Sequence, residues 1–126
     1  MCIYLYSKIR KFFHCIPSSI LMHLNVVSGK AVDFWFLGVH PDYRGNKIAN
    51  FLTKGILPLV RAAGFKYGTI EATSAFTSKS AIFNNFKRVY EIEAKDWCGW
   101  KGEPLYTNAK SPHGVWTFWV KDIQEE

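Results

Sequence analysis

Residues 36–52 read FLGVHPDYRGNKIANFL, and the reading of this stretch decides the fold. It begins inside a longer apolar run, AVDFWFLGV over 31–39, whose aromatic and β-branched content predicts a strand covered on both faces. His40-Pro41-Asp42-Tyr43 is a turn signal, with His40 a turn residue. From residue 44 the apolar spacing changes to three and four. Ile48, Phe51/Leu52, Ile56 and Leu59/Val60 build one stripe, which predicts a helix over 44–63 whose first turn holds Arg44, Gly45, Asn46 and Lys47. Gly64 supplies the stop, and Pro58 should kink the helix or weaken its last turns by removing a hydrogen bond. A strand that turns tightly into a helix leaves free N–H groups at the positive end of the helix dipole, which attract an anion. Gly45 lets the backbone come close to a bound group, and Arg44 and Lys47 add charge, so a pyrophosphate fits. The residues alone leave a plainer alternative open: a simple turn, with Asp42 as a cap and the cations solvated.

Downstream of that junction the pattern continues as alternating elements. KYGTIEAT over 66–73 predicts a second strand, and a Thr/Ser-rich loop leads to a short helix over about 78–86 with Ala81, Ile82 and Phe86 buried. In that loop and helix start, Ser74, Thr77 and Ser78 are all residues that cap helices well. Residues 88–95 alternate, with Tyr90, Ile92 and Ala94 on one side and Glu91 and Glu93 on the other. A polar Gly/Pro-containing loop precedes a last strand, GVWTFWVK, over 114–121. The order strand, helix, strand, helix, strand, strand implies an α/β mixed sheet flanked by helices. Trp97, Trp100, Trp116 and Trp119 read as core or as the wall of a pocket.

Composition narrows the partner classes. The chain has 126 residues, room for one domain, and is 48% apolar and 17% aromatic, enough to fold around a core. Sixteen Lys+Arg against ten Asp+Glu give a formal charge of +6, which favours an anionic partner. No RNP, KH or zinc-finger pattern supports nucleic acid as that partner. Cys2, Cys15 and Cys98 have no paired spacing, and His14, His23, His40 and His113 are scattered, so neither a disulfide framework nor a metal site is expected. A reducing, cytoplasmic compartment is the matching expectation. Residues 1–30 form a divergent segment in which Lys8, Arg10, Lys11 and Pro17 interrupt the apolar runs. No stretch there reaches the roughly 20 apolar residues that span a bilayer, and a short helix packed on the domain is the preferred reading over a helix on a membrane surface.

The run Val39-His40-Pro41-Asp42-Tyr43-Arg44-Gly45-Asn46-Lys47-Ile48-Ala49 resembles the coenzyme motif of the GCN5-related N-acetyltransferases, V-x-P-x-Y-R-G followed by x-G-x-G/A. IEAT, the Ser-rich loop, AIFNNF, RVYEIEAKDW and VWTFWVKDI follow in the same order, in a style similar to the arylalkylamine (dopamine-type) branch. The resemblance covers about residues 31–123, the acetyl-CoA-binding C-terminal part of an acyl-CoA N-acyltransferase-like fold. It implies that the fold is incomplete at the N-terminus, because the family's first strand, two helices and following strands have no counterpart in residues 1–30. It further implies that Leu37, Gly38 and Val39 present main-chain groups to pantetheine where the first strand splays, and that Arg44 to Ala49 (Arg44, Gly45, Asn46, Lys47, Ile48, Ala49) wrap the pyrophosphate. Acetyl-CoA is then the acetyl donor, with no metal, and a small amine attacks the thioester directly without a covalent enzyme intermediate. Glu71 is the candidate base, facing the same cleft, and Ser74 and Ser78 occupy the positions of functional serines, with Ser78 the candidate acid. The chain departs from the family at three places. Lys47 stands where a second glycine is usual, Phe83 where a tyrosine acid is common, and Lys87-Arg88 where Gly-Phe ends the helix. A sheet lacking its early strands has an open edge, which favours a homodimer.

Overall fold

The computed structural model describes residues 31–34, 37–98, 101–104 and 106–125. The expectations for residues 1–30, including Cys2, Cys15, His14 and His23, lie outside the described residues, as does Trp100. The elements are β1 (Ala31–Asp33), a 3-10 turn (Pro41–Tyr43), α1 (Ile48–Ala62), β2 (Tyr67–Ala72), α2 (Ala75–Phe83), β3 (Lys87–Glu93), a second 3-10 turn (Ala94–Asp96) and β4 (Val115–Asp122). The strands form one mixed sheet in the order β1-β2-β4-β3. β1 runs parallel to β2, as a strand joined by a helical crossover must, and the other pairs are antiparallel. The predicted element order and mixed sheet are therefore both present.

Register assigns the two faces of the sheet. Gly68, Ile70 and Ala72 share a face with Val32 and with Thr117 and Trp119 of β4, whereas Thr69 and Glu71 share the other with Asp33, Phe118 and Val120. The helices pack on the first face, where Leu57 and Val60 of α1 and Ala81 of α2 meet Ile70, Ala72, Phe86, Trp119 and Ile123. Phe34 joins that core at the end of β1, its ring edge-on to Phe86 with centroids 5.8 Å apart. Gly68 makes the approach possible: a Cβ there would sit 2.6 Å from the Phe34 ring. Arg61 ties α1 to the end of the sheet by donating from Nε to the Ile123 carbonyl at 2.7 Å.

Four sequence expectations need correction. The first strand is three residues long, not nine: pairing with β2 stops at Asp33, and Leu37 is exposed. The first helix starts at Ile48, not at 44, because positive φ at Gly45 (83°) and Lys47 (58°) holds the preceding residues in a loop. It then continues through Pro58 to Ala62, with Gly64 at φ 86° beyond its end. Its buried stripe is Thr53, Leu57 and Val60, while Phe51, Leu52, Ile56 and Leu59 are exposed. Thr53 tolerates burial because its hydroxyl donates back to the Ala49 carbonyl at 3.0 Å. The second helix starts at Ala75, three residues before the expected Ser78. Ser74 is its cap, with Oγ accepting from the Thr77 N–H at 3.2 Å, and Ile82 is exposed where burial was expected.

Candidate functional site

The loop between Val39 and α1 is built by its own side chains. His40 opens the 3-10 turn, its Nδ1 accepting from the Asp42 N–H at 3.4 Å, and Arg44 N closes it on the Pro41 carbonyl at 3.2 Å. Arg44 Nε then reaches back to the Val39 carbonyl at 3.1 Å, and Asn46 Nδ2 donates to the carbonyls of Tyr43 and Arg44 at 3.2 and 3.4 Å. These bonds, with the left-handed residues Gly45 and Lys47, curl residues 45–47 over the start of α1. The first backbone bond of the helix is Phe51 N to the Lys47 carbonyl, 3.1 Å. Among the described residues the N–H groups of Gly45, Asn46, Lys47, Ile48, Ala49 and Asn50 meet no acceptor, and no side chain caps α1. A run of unsatisfied amides at the positive end of a 15-residue helix, with Arg44 and Lys47 beside it, has the chemistry to hold an anion. The opposite end of α2 braces it, since Asn84 Nδ2 donates to the Asn50 carbonyl at 3.2 Å.

Beside this loop the described pairing of β1 with β2 ends. Among the described residues the last bond between the parallel strands is Phe34 N to the Thr69 carbonyl, 2.9 Å, and β2 runs on through Ile70, Glu71 and Ala72 with no described residue paired on that side. Leu37 and Gly38 are exposed beyond that bond, and the Val39 carbonyl already accepts from Arg44, which leaves its N–H and one lone pair for a ligand. A strand edge of this kind offers backbone groups to an extended molecule in the manner of an added strand.

Glu71 lies on that stretch of β2. Burial pushes its carboxyl up to about 8, with a further contribution from the charge of Asp33, and Oε2 is buried without a hydrogen-bond partner. Asp33 pairs in register with Thr69, which puts it on the face that carries Glu71, and burial raises its carboxyl too. A carboxylate of this strength accepts a proton from an amine far better than an ordinary glutamate does. Sequence reading had missed Asp33, although a lone carboxylate inside an apolar run was a visible signal.

Ser78 is not brought beside Glu71. It lies one turn into α2 on the helix-covered face, its Oγ 2.9 Å from Oγ1 of Thr117, which pairs with Ala72. Glu71 projects from the other face, opposite Phe118. The two therefore stand on opposite faces, and a ligand touching both must pass between β1 and β2. Ser74 is occupied as the cap of α2, and His113 Nδ1 accepts from the Ala75 N–H at 3.4 Å. Phe83 packs edge-on against Phe51, with centroids 6.2 Å apart, next to the anion loop. Trp119 is in the core, and Trp97, Tyr106 and Trp116 form an aromatic cluster at the far end of β4. Among the described residues no three His, Cys, Asp or Glu side chains gather to hold a metal, and no helix is long and apolar enough to cross a membrane.

No family model matches the sequence, and no curated protein matches it. Solved structures do. A mosquito arylalkylamine N-acetyltransferase like 5b is 28% identical, matching 73% of this chain and 42% of its own, with a TM-score of 0.65. Arylalkylamine N-acetyltransferase 2 from Aedes aegypti is 25% identical over 74% of this chain and 43% of its own, also at 0.65. The C-terminal condensation domain of Ebony, in complex with beta-alanyl-dopamine, shares the fold alone: 15% identity over 90% of this chain and 55% of that one, with a TM-score of 0.74. The chain thus spans less than half the length of each of these two acetyltransferases.

Proposed function

From the premise that this chain has the GCN5-related N-acetyltransferase fold, we propose that it binds acetyl-CoA and transfers the acetyl group to a small amine of the arylalkyl type by direct attack. The observation that carries this reading is the set of unsatisfied amides from Gly45 to Asn50 beside the stretch of β2 that no described residue pairs. Arg44, Gly45, Asn46, Lys47, Ile48 and Ala49 would hold the diphosphate, and Leu37, Gly38 and Val39 would line the pantetheine arm. The coenzyme supplies a thioester carbonyl. Glu71 takes the proton that the attacking amine loses, and Ser78 holds a hydroxyl proton for the departing sulfur. The described cysteine, Cys98, is exposed and free, in keeping with a reducing, cytoplasmic setting.

A second reading is a coenzyme- or partner-binding protein without turnover. One observation favours it: Phe83 has no hydroxyl to offer. The outer edge of β1 would then be where another strand, including that of a second copy, adds.

Thermal unfolding with and without acetyl-CoA tests the shared premise. A ligand at 100 times its dissociation constant adds about 2.7 kcal/mol, which raises Tm by several degrees. Arg44→Ala should weaken that response about tenfold or more in coenzyme concentration, through the loss of one charge-assisted contact and of its bond to Val39. An unchanged response would move the diphosphate elsewhere, and no response at all would end the proposal. Release of free thiol on adding tryptamine or dopamine then separates the transferase from the silent binder.

A further inference from the structure

We propose that Thr117 is the positioning residue that aims the Ser78 hydroxyl at the sulfur end of the coenzyme, an inference that rests on the coenzyme reading above. Three groups form a line: the Trp119 indole Nε1 lies 2.7 Å from Thr117 Oγ1, and Thr117 Oγ1 lies 2.9 Å from Ser78 Oγ. An indole nitrogen only donates, so Thr117 Oγ1 accepts there and its own proton is free to go to Ser78 Oγ. With Ser78 donating to the Ser74 carbonyl at 3.3 Å, that direction gives each of the three donors an acceptor. That distance exceeds the usual 2.5–3.0 Å of an O–H···O bond, so the proton is loosely held and open to a better acceptor. Negative charge near Ser78 Oγ would meet donors that all point the same way, and such chains strengthen one another where water is excluded. Thr117 and Trp119 are both buried.

Thr117 gives the buried Trp119 indole its acceptor, but its bond to Ser78 is not needed to build the fold. Ser74 already caps α2 through Thr77, and the core around Trp119 is made by Ile70, Ala72, Ala81 and Phe86. A polar pair between helix and sheet at this point costs desolvation that an apolar pair would not. What it supplies is direction: a serine hydroxyl on a helix has three rotamers, and the bond from Thr117 holds Oγ in one of them.

The Trp119 indole N–H reports on this line. Its ¹H–¹⁵N signal, assigned with Trp119→Phe, would be followed during addition of coenzyme A and of the analogue lacking the sulfur. Expected are equal thermal stabilisation by both ligands, movement of the Trp119 signal by coenzyme A, and loss of that movement with the sulfur-free analogue. Thr117→Val should abolish the movement while Thr117→Ser keeps it. Ser78→Ala, at a half-buried helix position, gives the same loss should the valine variant not fold. If coenzyme A stabilises the protein while the Trp119 signal stays still, or moves equally in Thr117→Val, the role of Thr117 is overturned and the coenzyme reading stands. If coenzyme A does not stabilise the protein, both fall.

Discussion

At Glu71 two carboxylates share one face of the sheet, Asp33 on β1 and Glu71 on β2, and burial keeps the second protonated up to about pH 8. An unfolded glutamate loses its proton near 4.5, so across the window from 4.5 to 8 the native state binds more protons than the unfolded one. Stability therefore falls as pH rises through that window and levels off above it. Glu71→Gln should flatten this part of the Tm-against-pH curve, leaving only the smaller slope of the same sign from Asp33. Because only the ionised form accepts a proton, transfer should rise toward pH 8, and the glutamine variant should lose about 10²- to 10⁴-fold in kcat. An unchanged pH–rate profile would remove Glu71 from the chemistry. Lys47 carries a different tension, holding φ 58° at the N-cap of α1, where the related motif has glycine. The left-handed region costs an L-residue about 1–2 kcal/mol, and glycine gives back about 0.5–1 in unfolded-chain entropy. Lys47→Gly should therefore raise Tm slightly; a fall would mean that the lysine side chain stabilises the loop by some other contact.

Among the elements, α1 departs furthest from its pattern. Two apolar stripes run along it. The regular one through Ile48, Leu52, Ile56 and Leu59 is the more conspicuous in sequence, yet Thr53, Leu57 and Val60 face the sheet. Periodicity reports that a helix has an apolar side but cannot choose between two sides when both are apolar. The start of the helix makes the choice, because the turn at Lys47 sets its rotation about its own axis. Leu57→Ala should cost about 2–5 kcal/mol, the range for a buried leucine in a core. Leu59→Lys, at 69% exposure, should stay within about 0.5 kcal/mol in chemical denaturation. Equal losses at the two positions would mean that the outward stripe is covered as well. At α2 the difference is smaller: Ser74 and Thr77 both cap well, and the bond from Thr77 N to Ser74 Oγ decides for Ser74, which places Ser78 inside the helix.

For the whole molecule, the order of elements and the mixed sheet were legible because each element carries its own local signal: β-branched runs, a period of two from Tyr90 to Ala94, turn residues at 40–43, and Gly64 after the first helix. The turn before the first helix was legible for the same reason, since the Pro-Asp-Tyr-Arg-Gly run acts within a few residues of itself. Sequence alone thus determined which segments are strand or helix, in what order, and where the chain turns. Tertiary structure decided the strand order, that Glu71 and Ser78 emerge on opposite faces, that Asp33 shares a face with Glu71, and that Thr117 and Trp119 meet Ser78. Those outcomes depend on contacts between residues far apart in the chain, such as Asp33 near Glu71 or Ser78 against Thr117, the latter 39 positions apart. Strand register and the packing angle of a helix are set by the summed fit of many side chains, so no local run of sequence contains them.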